Sequence, residues 1–423
     1  MKIHALHIEN FRGFEMLDVT FHPSMTVLIG ENGAGKTALL EALAVALGAL
    51  FRSIPGETGR SLRLTDARHR IYEHAGMLDL QPQGPVRVAA RGRLDGQPVR
   101  WVRSMRVDDS PPEFYRTRSS LRPISARLAA AVKAGEPRDL PVVGYYGAER
   151  LGVWRYKKID PKRGIGSRFD GYMDALDPTP NHRLLAEWIY QQTLIELQSG
   201  SPVLQLRAIE RAVRQCIEGT TRFFFDVKSH ELMLERASGE RLPFSFLSDG
   251  YRNMVALVAD VAWRAAVLNP HLAEEAAEKS EGVVLIDEVD LHLHPRWQRR
   301  VLGDLRRTFP NIQFVVTTHS PQVIASAHRD EVRVFDNNKL VPIQPFVEGR
   351  DTNSLLEDVF GVPERPEKEQ REIDELSRVL DEERYEEGRA MLARLEQRLG
   401  PDDPAVIRAR WILEREAPEP GVG

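Results

Sequence analysis

The feature that most constrains this chain is a glycine-rich segment at residues 30–37, GENGAGKT, which fits the phosphate-loop pattern GxxxxGK[ST]. It lies between an apolar run at 25–29, which predicts a buried strand, and a helix predicted over 38–50. There, backbone N–H groups can wrap phosphates, and the helix N-terminus adds positive potential. A glycine-rich turn that matches by chance is the alternative, but its placement favours nucleoside triphosphate binding. The predicted binding residues are Asn32, Gly33, Gly35, Lys36 and Thr37.

Two side chains of this loop have chemical roles that follow from their types. The ammonium of Lys36 neutralises phosphate charge, and the hydroxyl of Thr37 can ligate Mg²⁺. The sequence therefore predicts ATP and Mg²⁺ as cofactors.

An acidic pair supplies the second candidate group. Residues 283–288 read VVLIDE, four apolar residues followed by two carboxylates. Asp287 would lie at the end of a buried strand, where it can hold Mg²⁺ or its water, whereas Glu288 faces differently and could polarise the attacking water. Alone this pattern is weak, because acidic residues commonly follow core strands. Beside a phosphate loop it indicates nucleotide hydrolysis.

Composition limits the class of protein. The 423 residues carry 58 Lys+Arg against 62 Asp+Glu, so a net charge of −4 gives no overall attraction to nucleic acid or membrane. The single cysteine, Cys216, rules out an internal disulfide and favours a reducing, cytoplasmic compartment. We find no apolar run long enough to span a membrane and no signal-peptide core.

The pattern of predicted strands and helices divides the chain into five parts. Strand and helix alternate around both motifs, which predicts an α/β fold with a mainly parallel sheet. Helices are predicted over 181–197, 203–217, 251–268 and 296–308, and a hairpin turns at Asp95-Gly96. The predicted parts are an N-terminal ATPase lobe (1–51), a β-rich and Arg-rich insertion (52–142), a helical lobe (143–240), a C-terminal ATPase lobe (241–345) and a helical C-terminal appendix (346–423).

Further motifs resemble those of ABC-class ATPases, in that family's order. Residues 247–252, LSDGYR, look like the ABC signature, and 290–295, DLHLHP, look like the D-loop. Residues 318–320, THS, are similar to the switch-histidine loop, and 8–14, IENFRGF, resemble the start of RecF/SMC-type heads. The resemblance spans residues 1 to about 341 and implies a P-loop NTPase fold like that of ABC/SMC heads.

The resemblance also implies a mechanism. Two chains would sandwich ATP head to tail, and Ser248 and Gly250 of one chain would close on the γ-phosphate held by Lys36 of the other. His319 would sense the γ-phosphate, and Arg12 would contribute to nucleotide binding. The sequence departs from the family pattern after the strand predicted at 140–146, where GAER stands and no Q-loop glutamine follows.

Within this class, the chain looks most like the PtuA group, the ATPases of Septu and retron-associated anti-phage systems. The segments that carry this likeness are 351–354, DTNS, 365–366, RP, and 385–404 in the helical tail. The likeness implies a separate HNH nuclease partner, PtuB. The histidines form no HNH arrangement and the tail reads as helices, so we do not expect this chain to be a nuclease itself.

One basic stretch is a candidate nucleic-acid contact. Residues 150–168 hold seven Lys or Arg against Asp160 alone, with aromatic side chains between them. The alternative is a solvated loop, or a segment that completes the ATP site through Arg150.

Three functions remain open from the sequence. The chain is interpreted as an ATP-hydrolysing dimeric switch in a defence complex. The rivals are a RecF-like DNA repair clamp and a scaffold that binds nucleotide without hydrolysing it.

Overall fold

A computed structural model describes residues 1–54, 59–74, 76–107, 119–151, 166–179, 182–342, 346–361, 363 and 365–416. The chain divides into two compact units, residues 1–350 and residues 351–423. No helix among the described residues is both long and apolar enough to cross a membrane.

The strands all belong to the first unit. In chain order they are β1 (Lys2–Phe11), β2 (Phe14–Thr20), β3 (Met25–Gly30), β4 (His69–His74), β5 (Met77–Pro82), β6 (Val86–Leu94), β7 (Gln97–Met105), β8 (Val142–Tyr146), β9 (Thr220–Asp226), β10 (Glu231–Arg236), β11 (Arg241–Pro243), β12 (Gly282–Ile286), β13 (Ile312–Thr317), β14 (Val332–Asp336) and β15 (Lys339–Leu340).

The α-helices of the first unit are α1 (Lys36–Leu47), α2 (Leu121–Lys133), α3 (His182–Ser199), α4 (Leu204–Cys216), α5 (Asp249–Leu268), α6 (Ala276–Lys279), α7 (Pro295–Gln298), α8 (Val301–Thr308) and α9 (Pro321–Ile324). The second unit contains α10 (Thr352–Phe360), α11 (Glu367–Asp381), α12 (Tyr385–Leu399) and α13 (Pro404–Glu416).

The central sheet has the order β15-β14-β3-β13-β12-β8 and is parallel except at β15. Strands β3, β8, β12 and β13 are buried along their whole length, which is why they read as continuous apolar runs. Because the strands are parallel, the loops that follow β3, β12 and β13 leave from one edge of the sheet. The predicted mainly parallel α/β fold is confirmed.

A second sheet, β2-β1-β6-β7, is antiparallel and contacts α1. The predicted hairpin is present, and its turn residues Asp95 and Gly96 have φ of 51° and 71°. Within the stretch predicted as an insertion over 52–142, β6 and β7 extend the N-terminal sheet because β6 pairs with β1, whereas β4 and β5 form a separate two-stranded sheet. Its predicted end at 142 falls at the first residue of β8, a strand of the central sheet.

The lobe predicted as helical over 143–240 is mixed. It contains α3 and α4, as expected, but also β9 and β10, which pair antiparallel and continue into β11. Likewise, the single helix predicted over 296–308 is two helices, α7 and α8, separated at Arg299 and Arg300.

Helix α5 is buried on almost every side and is held by an internal ion pair. Asp260 and Arg264, one turn apart, are 1% and 3% exposed, and Nε of Arg264 donates to Oδ2 of Asp260 at 2.8 Å. The hydroxyl of Tyr146, the last residue of β8, donates to the same oxygen at 2.6 Å. The pair therefore fixes α5 against the central sheet.

The second unit has its own apolar core, formed by α11, α12 and α13. Its buried members are Leu376, Leu380, Leu392, Leu395, Val406, Ala409 and Leu413. These helices confirm the helical C-terminal region that the sequence predicted. The unit begins at residue 351, whereas the sequence placed the appendix from 346.

Replacing Asp260 with alanine is expected to lower the free energy of unfolding by about 3–5 kcal/mol, because Arg264 would stay buried without its counter-ion. Urea denaturation followed by tryptophan fluorescence measures this change. As a control, Glu275→Ala removes one partner of the exposed Glu275–Lys279 pair and is expected to leave the midpoint unchanged. A wild-type midpoint for Asp260→Ala would contradict the assigned role of the pair.

Candidate nucleotide-binding site

The glycine-rich loop connects the end of β3 to the start of α1, as the sequence predicted. Gly30 has φ of 147°, and a Cβ there would lie 2.2 Å from the carbonyl oxygen of Phe335. Gly35 has φ of 103°, and a Cβ would lie 2.8 Å from the side chains of Phe14 and Asn338. Both positions therefore require glycine. Asn32 and Gly33 lie exposed at the tip of the loop.

Lys36 is buried inside this loop. Its Nζ donates to the carbonyl oxygens of Gly30 at 2.9 Å and Glu31 at 2.8 Å. Burial lowers the pKa of Lys36, and the nearby carboxylates of Asp287, Glu288 and Asp290 partly oppose that shift. Additional negative charge at this point would stabilise the ammonium further, as expected of a phosphate-binding lysine.

Thr37 and Asp287 meet across the sheet edge and fit a magnesium ion. Oγ1 of Thr37 lies 2.9 Å from Oδ2 of Asp287. Neighbouring ligands of an octahedral Mg²⁺ with bonds of 2.0–2.1 Å are about 2.9 Å apart. The described residues hold no cluster of three or more His, Cys, Asp or Glu side chains that could bind a metal. A Mg²⁺ ion here would thus need phosphate oxygens and water to complete its shell.

Asp287 is 5% exposed and is held by a second hydroxyl. Oγ1 of Thr317, at the end of β13, donates to Oδ1 of Asp287 at 2.6 Å. The N–H of Asp287 donates to the carbonyl oxygen of Tyr146 at 2.8 Å. The carboxylate is therefore positioned from β8, from β13 and from the start of α1.

Glu288 follows in a left-handed conformation, with φ of 49°. Its N–H donates to Oγ1 of Thr317 at 2.7 Å, and its side chain is half-buried. The turn separates the directions of the two carboxylates, as expected if one holds metal and the other orients water. The charge of Glu288 also acts on Lys36 and on His319, which places these groups in one electrostatic neighbourhood.

His319 lies in the loop after β13, half-buried. Burial lowers its pKa, the charge of Lys36 lowers it further, and the nearby carboxylates partly oppose both effects. The neutral imidazole is therefore favoured near pH 7. The adjacent Thr318 donates through Oγ1 to Oδ1 of Asp290 at 2.5 Å, which ties this loop to the segment resembling the D-loop.

The segment resembling the ABC signature begins α5. Ser248 is the N-cap residue and is exposed, as is Asp249. Gly250 is buried, and a Cβ there would lie 2.1 Å from the carbonyl oxygen of His292. The serine thus faces solvent, while the glycine permits close packing on residues 290–295.

Arg12 lies in a polar cleft of about 490 Å³ beside α1. Its guanidinium pairs with Glu41 of α1 and lies 3.6 Å from Asp66. Arg60 binds the same two carboxylates, at 3.0 Å and 3.3 Å. The structure therefore places the predicted nucleotide-binding residue Arg12 in an ion-pair network, 35% exposed, next to the helix that follows the phosphate loop.

The two ends of the proposed basic patch are not free cations. Arg150 is 3% exposed, and it donates to backbone oxygens beside the acidic pair. Arg168 donates to the carbonyl oxygens of Leu268, Glu136 and Arg138. The residues between them, 152–165, lie outside the described residues. Arg150 and Arg168 are therefore not part of an exposed basic patch. Arg150 instead belongs to the candidate nucleotide-binding site.

Comparisons with known proteins agree with this geometry. Residues 25–325 match the family described as "AAA domain, putative AbiEii toxin, Type IV TA system". The chain is 26% identical to "Retron Ec83 probable ATPase" of Escherichia coli, over 98% of this chain and 87% of that protein. It is 28% identical to "Septu protein PtuA" of Bacillus thuringiensis, over 95% of each.

A further relative is "DNA replication and repair protein RecF" of Rickettsia canadensis, 35% identical over 75% of this chain and 94% of that protein. The family match covers more than half of the chain and includes the glycine-rich loop, the acidic pair and the histidine loop. This chain therefore belongs to that AAA-domain family and is a P-loop ATPase.

Proposed function

We propose that this protein binds Mg-ATP, dimerises around it and hydrolyses it to switch an anti-phage defence complex between a restrained and an active state. The observation that carries the proposal is the contact of Thr37 with Asp287 at the edge where Lys36 and Glu288 also lie. This contact supports the proposal because two candidate magnesium ligands then lie near a candidate phosphate-binding cation and a candidate base.

Each residue has a defined task in this proposal. Lys36 would exchange its loop carbonyl partners for phosphate oxygens, and Thr37 and Asp287 would hold Mg²⁺. The ion would neutralise charge on the transferred phosphoryl group. Glu288 orients the attacking water, and the neutral His319 contacts the γ-phosphate.

Closure of the site requires a second chain. Ser248 is exposed at the start of a 20-residue helix, so its hydroxyl and the neighbouring N–H groups suit an anionic target. We assign Ser248 and Gly250 to the nucleotide bound by the partner chain. Arg12 would contribute from the cleft beside α1 by giving up Glu41 for a negatively charged part of the nucleotide.

The defence role rests on the named relatives, a retron ATPase and a Septu PtuA protein. Accordingly, we propose a cytoplasmic complex with a separate HNH nuclease, in which this chain supplies the ATP-driven step. A gene for an HNH protein beside the gene for this chain, and co-purification of the two products, would support this partner.

The variants Glu288→Gln and Lys36→Ala are expected to fail at different steps. Glu288→Gln retains the phosphate and metal groups but loses the base, so it should accumulate as an ATP-bound dimer. Lys36→Ala should lose ATP binding, so adding nucleotide should not change its oligomeric state. Size-exclusion chromatography with light scattering, with and without Mg-ATP, measures the oligomeric state. Phosphate release measures turnover. Wild-type turnover in Glu288→Gln, or an ATP-dependent dimer of Lys36→Ala, would refute the assignment.

A mixing experiment tests whether Ser248 acts across the dimer. Lys36→Ala and Ser248→Arg chains should each be inactive alone. In a mixed dimer, the chain with intact Lys36 meets an intact Ser248 from its partner, so random mixing should restore up to about a quarter of wild-type turnover.

The matched control mixes Lys36→Ala with Glu288→Gln. Because Lys36 and Glu288 act within one chain, neither site of that mixed dimer is complete, and no turnover should return. No restoration in the test mixture would place the signature serine in its own chain's site. Restoration in the control would contradict the assignment of Lys36 and Glu288 to the same chain.

The similarity to a RecF protein favours a second candidate function, an ATPase clamp on DNA without a nuclease partner. This candidate predicts that DNA stimulates hydrolysis by the purified protein alone. The defence proposal instead expects the partner to be required for the response.

A further inference from the structure

Arg150 is placed where it can control the backbone of the acidic pair. It lies in a short helical turn, Ala148–Leu151, directly after β8. Its guanidinium donates to the carbonyl oxygens of Gly147 at 3.1 Å, Asp287 at 2.5 Å and Glu288 at 2.6 Å. With three backbone partners and 3% exposure, its side chain is fixed inside the protein.

These contacts hold Glu288 in an unusual backbone conformation. A φ of 49° is rare for a residue with a Cβ and persists where neighbours enforce it. Thr317 binds the N–H of Glu288 from one side, and Arg150 binds its carbonyl oxygen from the other. Together the two contacts set the direction in which the Glu288 side chain leaves the backbone.

The fourth contact of Arg150 reaches the helix that begins at the signature. Its Nε donates to Oδ1 of Asn253 at 2.9 Å, and Nδ2 of Asn253 donates to the carbonyl oxygen of Leu291 at 3.2 Å. Asn253 lies in α5, little more than one turn beyond Ser248. A continuous set of buried and partly buried hydrogen bonds thus joins the signature helix, Arg150 and Glu288.

We propose that Arg150 is a positioning residue that holds Glu288 in its hydrolytic geometry and, through Asn253, couples that geometry to the signature helix. This inference rests on the function proposed above. In a head-to-tail dimer, Ser248 contacts the partner's nucleotide while Glu288 serves the nucleotide of its own chain. Arg150 and Asn253 therefore connect the two ATP sites of the dimer.

A lysine cannot replace Arg150 in this arrangement. The planar guanidinium spreads its donors over three nitrogens, whereas an ammonium donates from a single atom. Three carbonyl oxygens and the side chain of Asn253 cannot all be reached from one nitrogen. Arg150→Lys should therefore behave like Arg150→Met rather than like the wild type.

Kinetics provide the first test, with Arg168 as the matched control. Arg168 also donates to three carbonyl oxygens, but at the far end of α5. Arg150→Met should lower kcat about 100-fold through misplacement of Glu288, while the Kd for Mg-ATP changes by less than about threefold because Lys36 and Thr37 are intact. Arg168→Met should retain kcat. An unchanged kcat in folded Arg150→Met, or equal losses in both variants, would overturn the proposal.

Hydrogen exchange provides a test that does not depend on turnover. In the nucleotide-free protein, Arg150→Met should accelerate exchange of the amides at 287–293, whereas Arg168→Met should not. Unchanged exchange at 287–293 would overturn the positioning role. The two proposals can fail separately. Absence of ATP hydrolysis by the wild type would refute the proposed function, whereas hydrogen exchange alone decides whether Arg150 orders this segment.

Asn253→Ala tests the coupling while keeping the arginine, and it also serves if Arg150→Met does not fold. It should lower kcat and accelerate hydrogen exchange at the start of α5.

Combined with Arg150→Lys, Asn253→Ala should cause little further loss of kcat, because both changes break one connected network. Wild-type kcat and exchange in Asn253→Ala, or fully additive losses in the double variant, would overturn the coupling.

Discussion

The site depends on one buried carboxylate, that of Asp287, which joins three separate parts of the first unit. Its two oxygens accept hydrogen bonds from Thr37, at the start of α1, and Thr317, at the end of β13. Moving an ionised carboxylate from water into protein costs several kcal/mol, and hydrogen bonds to a charged group return about 1.5–3 kcal/mol each. The cost of burial and the free energy gained from the two hydrogen bonds are of similar size. The carboxylate therefore contributes little to folding, as expected of a group that is placed for binding.

The charges around Asp287 are consistent with the proposed joint binding of metal and nucleotide. Asp287, Glu288 and Asp290 face the cations Lys36 and Arg150, so the carboxylates outnumber the cations. Burial lowers the pKa of Arg150 to about 10, and these carboxylates oppose the shift. A triphosphate alone would add further negative charge to the site. Mg²⁺ offsets that charge at the point where the oxygens of Thr37 and Asp287 already have the spacing of adjacent ligands.

The sequence revealed the parts of the site that are contiguous along the chain. The glycine-rich loop, the acidic pair and the histidine loop each directly follow an apolar run. The buried strand and the functional residues at its end could therefore be predicted from one stretch of sequence. Arg150 could not be assigned in this way, because its partners Asn253 and Glu288 lie 103 and 138 positions away. The only local signal was its place directly after the strand at 142–146, where the family pattern lacked its glutamine. The pairing of β9 with β10 was missed because the aromatic run at 223–225 hides the alternation of a half-buried strand.

The contact between Thr37 and Asp287 also indicates which groups would have to move in the proposed binding of ATP. Thr37 and Asp287 can exchange their hydrogen bond for a shared ion without a change in oxygen spacing, so this contact does not drive a rearrangement. Lys36 must leave the carbonyls of Gly30 and Glu31 to reach phosphate. Helix α5 is tied to β8 through Tyr146 and Asp260, and to the acidic pair through Arg150. A ligand shifts a conformation only through interactions that differ between states. In the proposed dimer, the two differing interactions are those of Lys36 in its own loop and of Ser248 with the partner's nucleotide.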